Sequence, residues 1–295
     1  MSDQAEKLRQ LIAGNKESNM KRAKMIAIAS GKGGTGKTNF TVNFCLELSA
    51  LHQKVLLFDL DIGMGNVDIL LGESPEHSLL DFWKKSLSLS EMTEKSQYGI
   101  DYISGGRGFK DFFQLDGHHL DLFMEELDRL IQKYDFIFFD MGAGMTQESL
   151  QFLLAADEVF LVVTPEPTAL MDAYSAAKYV LLNSKNSKIS VLLNKAKTDL
   201  DGTMAYHRLS SVLNKYLSAH ADLLGILPED PKVSEAVIKR NPVTSLYPRA
   251  KYSRSIRQTA EAFLQKDHDR QNFSRPELFM DRFKAIFKSK ARKGE

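Results

Sequence analysis

An octapeptide, Gly31-Lys32-Gly33-Gly34-Thr35-Gly36-Lys37-Thr38, follows the apolar run Met25 to Ala29 and precedes a helix-forming segment from Asn39 to Ser49. The G-x-x-x-x-G-K-[ST] spacing between a strand and a helix fixes one βα unit and makes the joining loop an anion cradle. Its glycines let successive backbone N–H groups face inward. Lys37 brings charge to the outer phosphates, and the Thr38 hydroxyl suits a divalent cation. The implied ligand is a nucleoside triphosphate with Mg²⁺.

Further strand signals end in acids. Lys54 to Phe58 runs into Asp59-Leu60-Asp61, and Asp135 to Phe139 runs into Asp140-Met141-Gly142. An acid at the end of an apolar strand is the Walker B arrangement, which gives Asp140 a metal-side role. Gly99 to Ile103, Val159 to Val163 and Ile189 to Leu193 read as further strands. Helical periodicity falls on His118 to Gln132, Ala169 to Leu182 and Tyr252 to Leu264. Alternating strands and helices over residues 25–265 predict an α/β fold, a doubly wound and mostly parallel sheet of the P-loop NTPase type.

With 295 residues and 43% hydrophobic content, the chain can build this core without a second domain. A net charge of +1 gives no global attraction to nucleic acid or membrane, so such attraction needs local clusters. Cys45 is the single cysteine, which rules out an intrachain disulfide and an iron–sulfur site built from one chain. The N-terminus has no secretory signal, and no run of about 18 apolar residues occurs. A cytoplasmic protein is expected.

The strand Ile189 to Leu193 ends in Asn194-Lys195-Ala196-Lys197, which invites comparison with the guanine-reading NKxD motif. Position 197 is lysine, so the carboxylate that guanine requires is missing and adenine is favoured.

The ends of the chain carry their own patterns. Residues 1–13 form a short amphipathic helix signal with Ala5, Leu8, Leu11 and Ile12 on one side, followed by a polar linker to residue 24. After a polar stretch, residues 266–295 read as a linker and a basic amphipathic helix. Leu278, Phe279, Met280, Phe283, Ile286 and Phe287 share one half of the wheel, and Lys284 and Lys288 lie opposite. From Asp281 to Glu295, six Lys or Arg against two acids leave +4. Such a helix suits an anionic membrane surface, and two on a dimer would act together.

With Lys32 as a second loop lysine, KGGTGKT resembles the deviant Walker motif of MinD/ParA-family ATPases. The run from Asp59 to Asp68 resembles the first switch of MinD. The resemblance implies an ATP-dependent homodimer in which Lys32 reaches the partner's nucleotide and Gly31 to Asn39 hold phosphates. It assigns the attacking water to Asp61 and the Mg²⁺ region to Thr38, Asp59 and Asp140. Asn194, Pro228 and Glu229 would surround adenine. Asn39 and Gly142 depart from residues common in relatives. The C-terminal helix is similar to the family's membrane-targeting helices, which implies reversible residence at the inner face of the membrane.

Asp3-Gln4-Ala5-Glu6-Lys7-Leu8-Arg9 resembles the DQAxxLR element of the FlhG (YlxH/FleN) branch, which regulates flagellar number and placement. That implies stimulation of the FlhF GTPase through Asp3, Gln4, Ala5, Leu8 and Arg9, with flagellar switch (C-ring) proteins as further partners. Division-site ATPases of the MinD type and DNA-partition ATPases of the ParA type are the alternatives, the latter needing a basic dimer surface.

Overall fold

A computed structural model describes residues 22–61, 66–85, 87–106, 117–142, 147–184, 187–271 and 279–291. The N-terminal element from Asp3 to Arg9 lies outside them.

Strands β1 (Lys24–Ala29), β2 (Val55–Leu60), β3 (Glu94–Lys95), β4 (Asp101–Ile103), β5 (Phe136–Met141), β6 (Glu158–Val163), β7 (Lys188–Ala196) and β8 (Asp222–Pro228) form one sheet. Their order is β3-β4-β2-β5-β1-β6-β7-β8, parallel throughout except for β3. β2, β5 and β6 are buried at every position, because helices cover both faces and leave no solvent side to alternate with. β1 lies between β5 and β6, where chain order reverses. Ligand crevices open at such points, outside the carboxyl ends of the strands.

The helices are α1 (Lys37–Ala50), α2 (Val67–Leu71), α3 (Leu79–Lys85), α4 (Gly117–Ile131), α5 (Gln147–Ala155), α6 (Pro167–Asn183), α7 (Asp199–Leu217), α8 (Pro231–Ile238), α9 (Val243–Leu246), α10 (Lys251–Gln271) and α11 (Phe279–Ala291). Met25, Ala27 and Ala29 of β1 join the core under α4 to α7, while Ile26 and Ile28 join the core under α1 and α10. This period of two divides a fully apolar strand between two layers. Phe44 of α1 packs edge-on against Phe138, Phe160 and Phe263, which fixes the helix after the glycine loop to the sheet.

One expectation about the C-terminal part is corrected. The helix predicted to stop at Leu264 runs on to Gln271, because Asp267 is buried and pairs with Lys24 at 2.6 Å. The helix read as lipid-facing is seated on its own core in this structure. Phe279, Met280 and Phe283 are buried, and Ile286 is partly buried against the same cluster. Phe279 stacks on Phe139 at 5.6 Å, and Phe283 meets Phe152 of α5 at 4.9 Å. Arg282 pairs with Asp157, whose other oxygen accepts from the backbone N–H of Met25. Lys284 is exposed; the side chains of Phe287 and Lys288 lie outside the described residues. An amphipathic face seeks any apolar surface, and β5 with α5 supplies one.

At the end of the sheet opposite the crevice, Glu158 is 1% exposed and lies 2.8 Å from Lys24 and 2.6 Å from Lys188. Burial pushes its carboxyl upward, but Lys24 and Lys188 outweigh burial and hold it below the ordinary glutamate range.

Candidate nucleotide site

The glycine loop leaves the end of β1 and enters α1 through Gly36, whose φ of 85° is the left-handed conformation that glycine adopts at no steric cost. No side chain caps α1, so its first amides remain available to an anion. A Cβ on Gly31 would fall 2.5 Å from the Cβ and backbone carbon of Asp172, so the loop rests directly on α6. From β7, Asn194 Nδ2 donates to Thr35 O at 2.7 Å and Lys195 Nζ donates to Gly34 O at 2.8 Å. Thr38 and Asn39 begin α1, both half-buried, while Gly33 and Gly34 are exposed.

Lys37 and Asp140 come together at the mouth of the loop. Lys37 Nζ donates to Asp140 Oδ1 at 2.7 Å, with both side chains essentially excluded from solvent. Asp140 Oδ2 is buried and has no hydrogen-bond partner among the described residues, and the same holds for Thr35 Oγ1. A buried carboxylate oxygen without a donor, facing a glycine cradle beside Thr38, fits a hydrated divalent cation shared with phosphate. Among the described residues no group of three or more His, Cys, Asp or Glu could hold a metal ion. Thr41, one turn beyond Lys37, donates to Lys37 O at 2.9 Å with Asp140 Oδ1 at 3.2 Å. Sequence pattern gave no signal for it.

Asp59 and Asp61 occupy the end of β2, and Asp59 is in register with Asp140. The Asp59 carboxylate accepts from the backbone N–H groups of Asp61, Asn66 and Val67 at 3.1, 2.9 and 3.1 Å. It thereby ties Asp61 to the start of α2; residues 62–65 lie outside the described residues. Three of its lone pairs are engaged, so the cap is the role the geometry gives Asp59. Its metal-side role becomes indirect, through placement of Asp61 and Asn66. Burial, reinforced by Asp140, pushes the carboxyl up to about 7 against those three donors. Asp61 is half-buried. Burial raises its carboxyl above the ordinary range, Lys37 opposes this and Asp140 adds to it. A Cβ on Gly142 would lie 3.1 Å from Asp61 Oδ1, so the chain just after Asp140 passes directly beside Asp61. Residues 143–146 lie outside the described residues.

The base-side residues gather at the ends of β7 and β8. Glu229 N donates to Ala196 O at 2.9 Å, which sets Pro228 and the exposed Glu229 beside Asn194. Asn194 uses part of its amide inside the protein. Its Nδ2 is on the loop, and its Oδ1 accepts from Lys195 N at 3.0 Å. Lys32 departs from the cradle. Its Nζ sits 2.6 Å from Glu166 and 3.4 Å from Thr168, at the start of α6.

A glycine loop joining a central parallel strand to a helix, with a buried lysine–aspartate pair at its mouth, defines a P-loop nucleotide-binding protein. Residues 26–243 match the family model for the CobQ/CobB/MinD/ParA nucleotide binding domain. The antiactivator FleN of Pseudomonas aeruginosa is 31% identical over 242 residues, covering 82% of this chain and 86% of that protein. The flagellum site-determining protein YlxH of Helicobacter pylori is 32% identical over 251 residues, covering 84% of each. The crystal structure of the Pyrococcus furiosus cell division ATPase MinD superposes with a TM-score of 0.69 at 26% identity, covering 82% of this chain and 99% of that one. MinD of Pyrococcus horikoshii, solved with Mg-ADP, gives 0.67 at 26% identity, covering 82% and 96%. The chain belongs to the CobQ/CobB/MinD/ParA nucleotide-binding family, as an ATPase of its MinD/ParA type.

Proposed function

We propose that this chain is an ATP-driven dimerisation switch acting in the number or placement of bacterial flagella. Similarity to FleN and YlxH over most of the chain supports the flagellar setting. The observation that carries the dimer reading is the position of Lys32. A loop lysine serving its own nucleotide would face the cradle, as Lys37 does, whereas Lys32 lies on the outer side against Glu166.

ATP is the nucleotide and Mg²⁺ the ion, in keeping with the Mg-ADP held by the archaeal relative. When bound, Mg²⁺ would neutralise phosphate charge; the Thr38 hydroxyl would hold it, and Asp140 would hold one of its waters. Lys37 leaves Asp140 for the phosphates, and the loop amides orient the triphosphate. Asp61 holds the attacking water in line with the γ-phosphate. Lys32 from the second copy adds charge where it develops in the transition state.

The C-terminal helix is the membrane element of this switch. Its seat includes Phe139, which directly precedes Asp140, and α5, which follows the switch segment that begins at Asp140. A nucleotide-driven shift of that switch reaches the seat without an intermediary. Once released, Phe279, Met280, Phe283, Ile286 and Phe287 enter lipid, and Lys284 and Lys288 meet anionic headgroups. The protein then cycles between cytoplasm and inner membrane face. Residues 1–24 supply the FlhF-stimulating element, and C-ring proteins are further partners.

Sedimentation velocity tests the dimer. Asp61→Ala should be dimeric with ATP and monomeric with ADP, and Lys32→Ala in that background should remain monomeric. A monomer under every condition would sink the reading. For the partner, a peptide of residues 1–20 should raise FlhF GTPase turnover. Absence of stimulation, or stimulation indifferent to Gln4→Ala, would count against it.

A further inference from the structure

Lys37 has two duties that cannot be met at once. In this structure it donates to Asp140 Oδ1, and with a triphosphate in the cradle it must turn to the phosphates. Asp140 would then be a fully buried carboxylate beside Asp59, without its ammonium partner. Leaving a buried charged acceptor without a donor is costly, so a replacement donor has to be within reach.

Thr41 meets that requirement. Its hydroxyl is 1% exposed and stands between two acceptors, Lys37 O at 2.9 Å and Asp140 Oδ1 at 3.2 Å. A hydroxyl has one proton, so it serves one acceptor at a time. Back-donation to the carbonyl four residues earlier is common for threonine in a helix and by itself means little. The carboxylate as second acceptor is what sets Thr41 apart. Lys37 O needs no second donor, because helix geometry already pairs it. Asp140 does need one once Lys37 has moved.

We propose that Thr41 is a positioning residue for the nucleotide-bound state. Its hydroxyl turns its hydrogen bond from Lys37 O to Asp140 Oδ1 as Lys37 departs, which keeps the carboxylate fixed and would leave Oδ2 available to the divalent cation's side of the site. The inference rests on ATP with Mg²⁺ being the ligand of this loop. It makes Thr41 nearly silent in the nucleotide-free protein and important in the loaded one.

The test uses the full chain with Thr41→Val, which keeps the shape, and Thr41→Ser, which keeps the hydroxyl. Melting is recorded without nucleotide. ATP affinity is measured by fluorescent-analogue displacement in EDTA and across a Mg²⁺ titration. Thr41→Val should melt within about 2 °C of wild type. It should bind ATP in EDTA as wild type does, and require about tenfold more Mg²⁺ for half-maximal affinity, a factor equal to 1.4 kcal/mol. Thr41→Ser should restore the wild-type titration. A Thr41→Val titration matching wild type overturns the proposal. So does equal impairment of both variants, which would indicate sensitivity to any change at this position and not to the hydroxyl, or an equal loss in EDTA, which would indicate general damage to the loop. Wild type failing to bind ATP at all would instead remove the nucleotide reading itself.

Discussion

Asparagine in place of Asp157 should loosen the C-terminal helix from the groove side while leaving every residue of the helix unchanged. Asp157 binds Met25 N through Oδ2 and Arg282 through Oδ1. Asparagine keeps an oxygen for Met25 N and turns an amide N–H₂ toward the guanidinium, so that donor faces donor. A fully buried charged hydrogen bond is worth about 1.5–3 kcal/mol. The two side chains here remain 16% and 21% exposed, and screening brings the figure to about 1 kcal/mol. That is about a fivefold shift in the docking equilibrium. Burial of Phe279, Met280 and Phe283 holds the helix with roughly 5–9 kcal/mol as an upper figure, so it should stay mostly docked. Hydrogen exchange reads the shift directly. Amides of residues 279–286 should exchange about fivefold faster in Asp157→Asn, with β7 amides unchanged. Unaltered exchange in the helix, or acceleration spread evenly through the sheet, would refute the assignment of Asp157 as a docking contact.

Glu158→Gln should destabilise the fold by about 3 kcal/mol near neutral pH, because Lys24 and Lys188 lose their shared buried partner. The folded-state carboxyl lies below its unfolded value, so this contribution is complete above about pH 5 and fades as pH falls through the folded value. A denaturation difference independent of pH between about 3 and 8 would contradict it. Gly31→Ala should reduce ATP affinity at least tenfold in a displacement assay, since the new Cβ meets helix backbone 2.5 Å away; wild-type affinity would show that the loop moves freely on α6. Asp61→Ala should bind ATP normally and lose about a hundredfold or more in turnover, and a phosphate-release rate near wild type would remove Asp61 from the chemistry.

Several parts of the molecule were legible because local pattern and tertiary role coincide. The loop from Gly31 to Thr38 and the acid at Asp140 depend on positions within one strand–loop unit, and the structure brings them together at 2.7 Å through Lys37. Missing carboxylate chemistry at Lys197 was legible in the same way. Other parts depend on partners far along the chain. The Asp157–Arg282 pair joins residues 125 apart, and nothing in either local sequence announces it. Asn194 reads as a base-side residue, and nothing local shows that its amide also donates to Thr35 O, 159 residues away. Periodicity showed that Phe279, Met280 and Phe283 share a face, but an apolar face has the same period whether lipid or protein covers it. Thr41 reads as an ordinary helix residue until Asp140 is placed beside it.

The switch is tested most directly by sedimentation with anionic liposomes. The full chain and a chain ending at residue 271 would each be assayed with ATP, with ADP and, for Asp61→Ala, with ATP. The account predicts that binding needs both ATP and the C-terminal helix, and that Asp61→Ala retains or increases it. A full chain that stays in solution in every state would contradict the account. The helix would then be a permanent part of the core it covers in this structure.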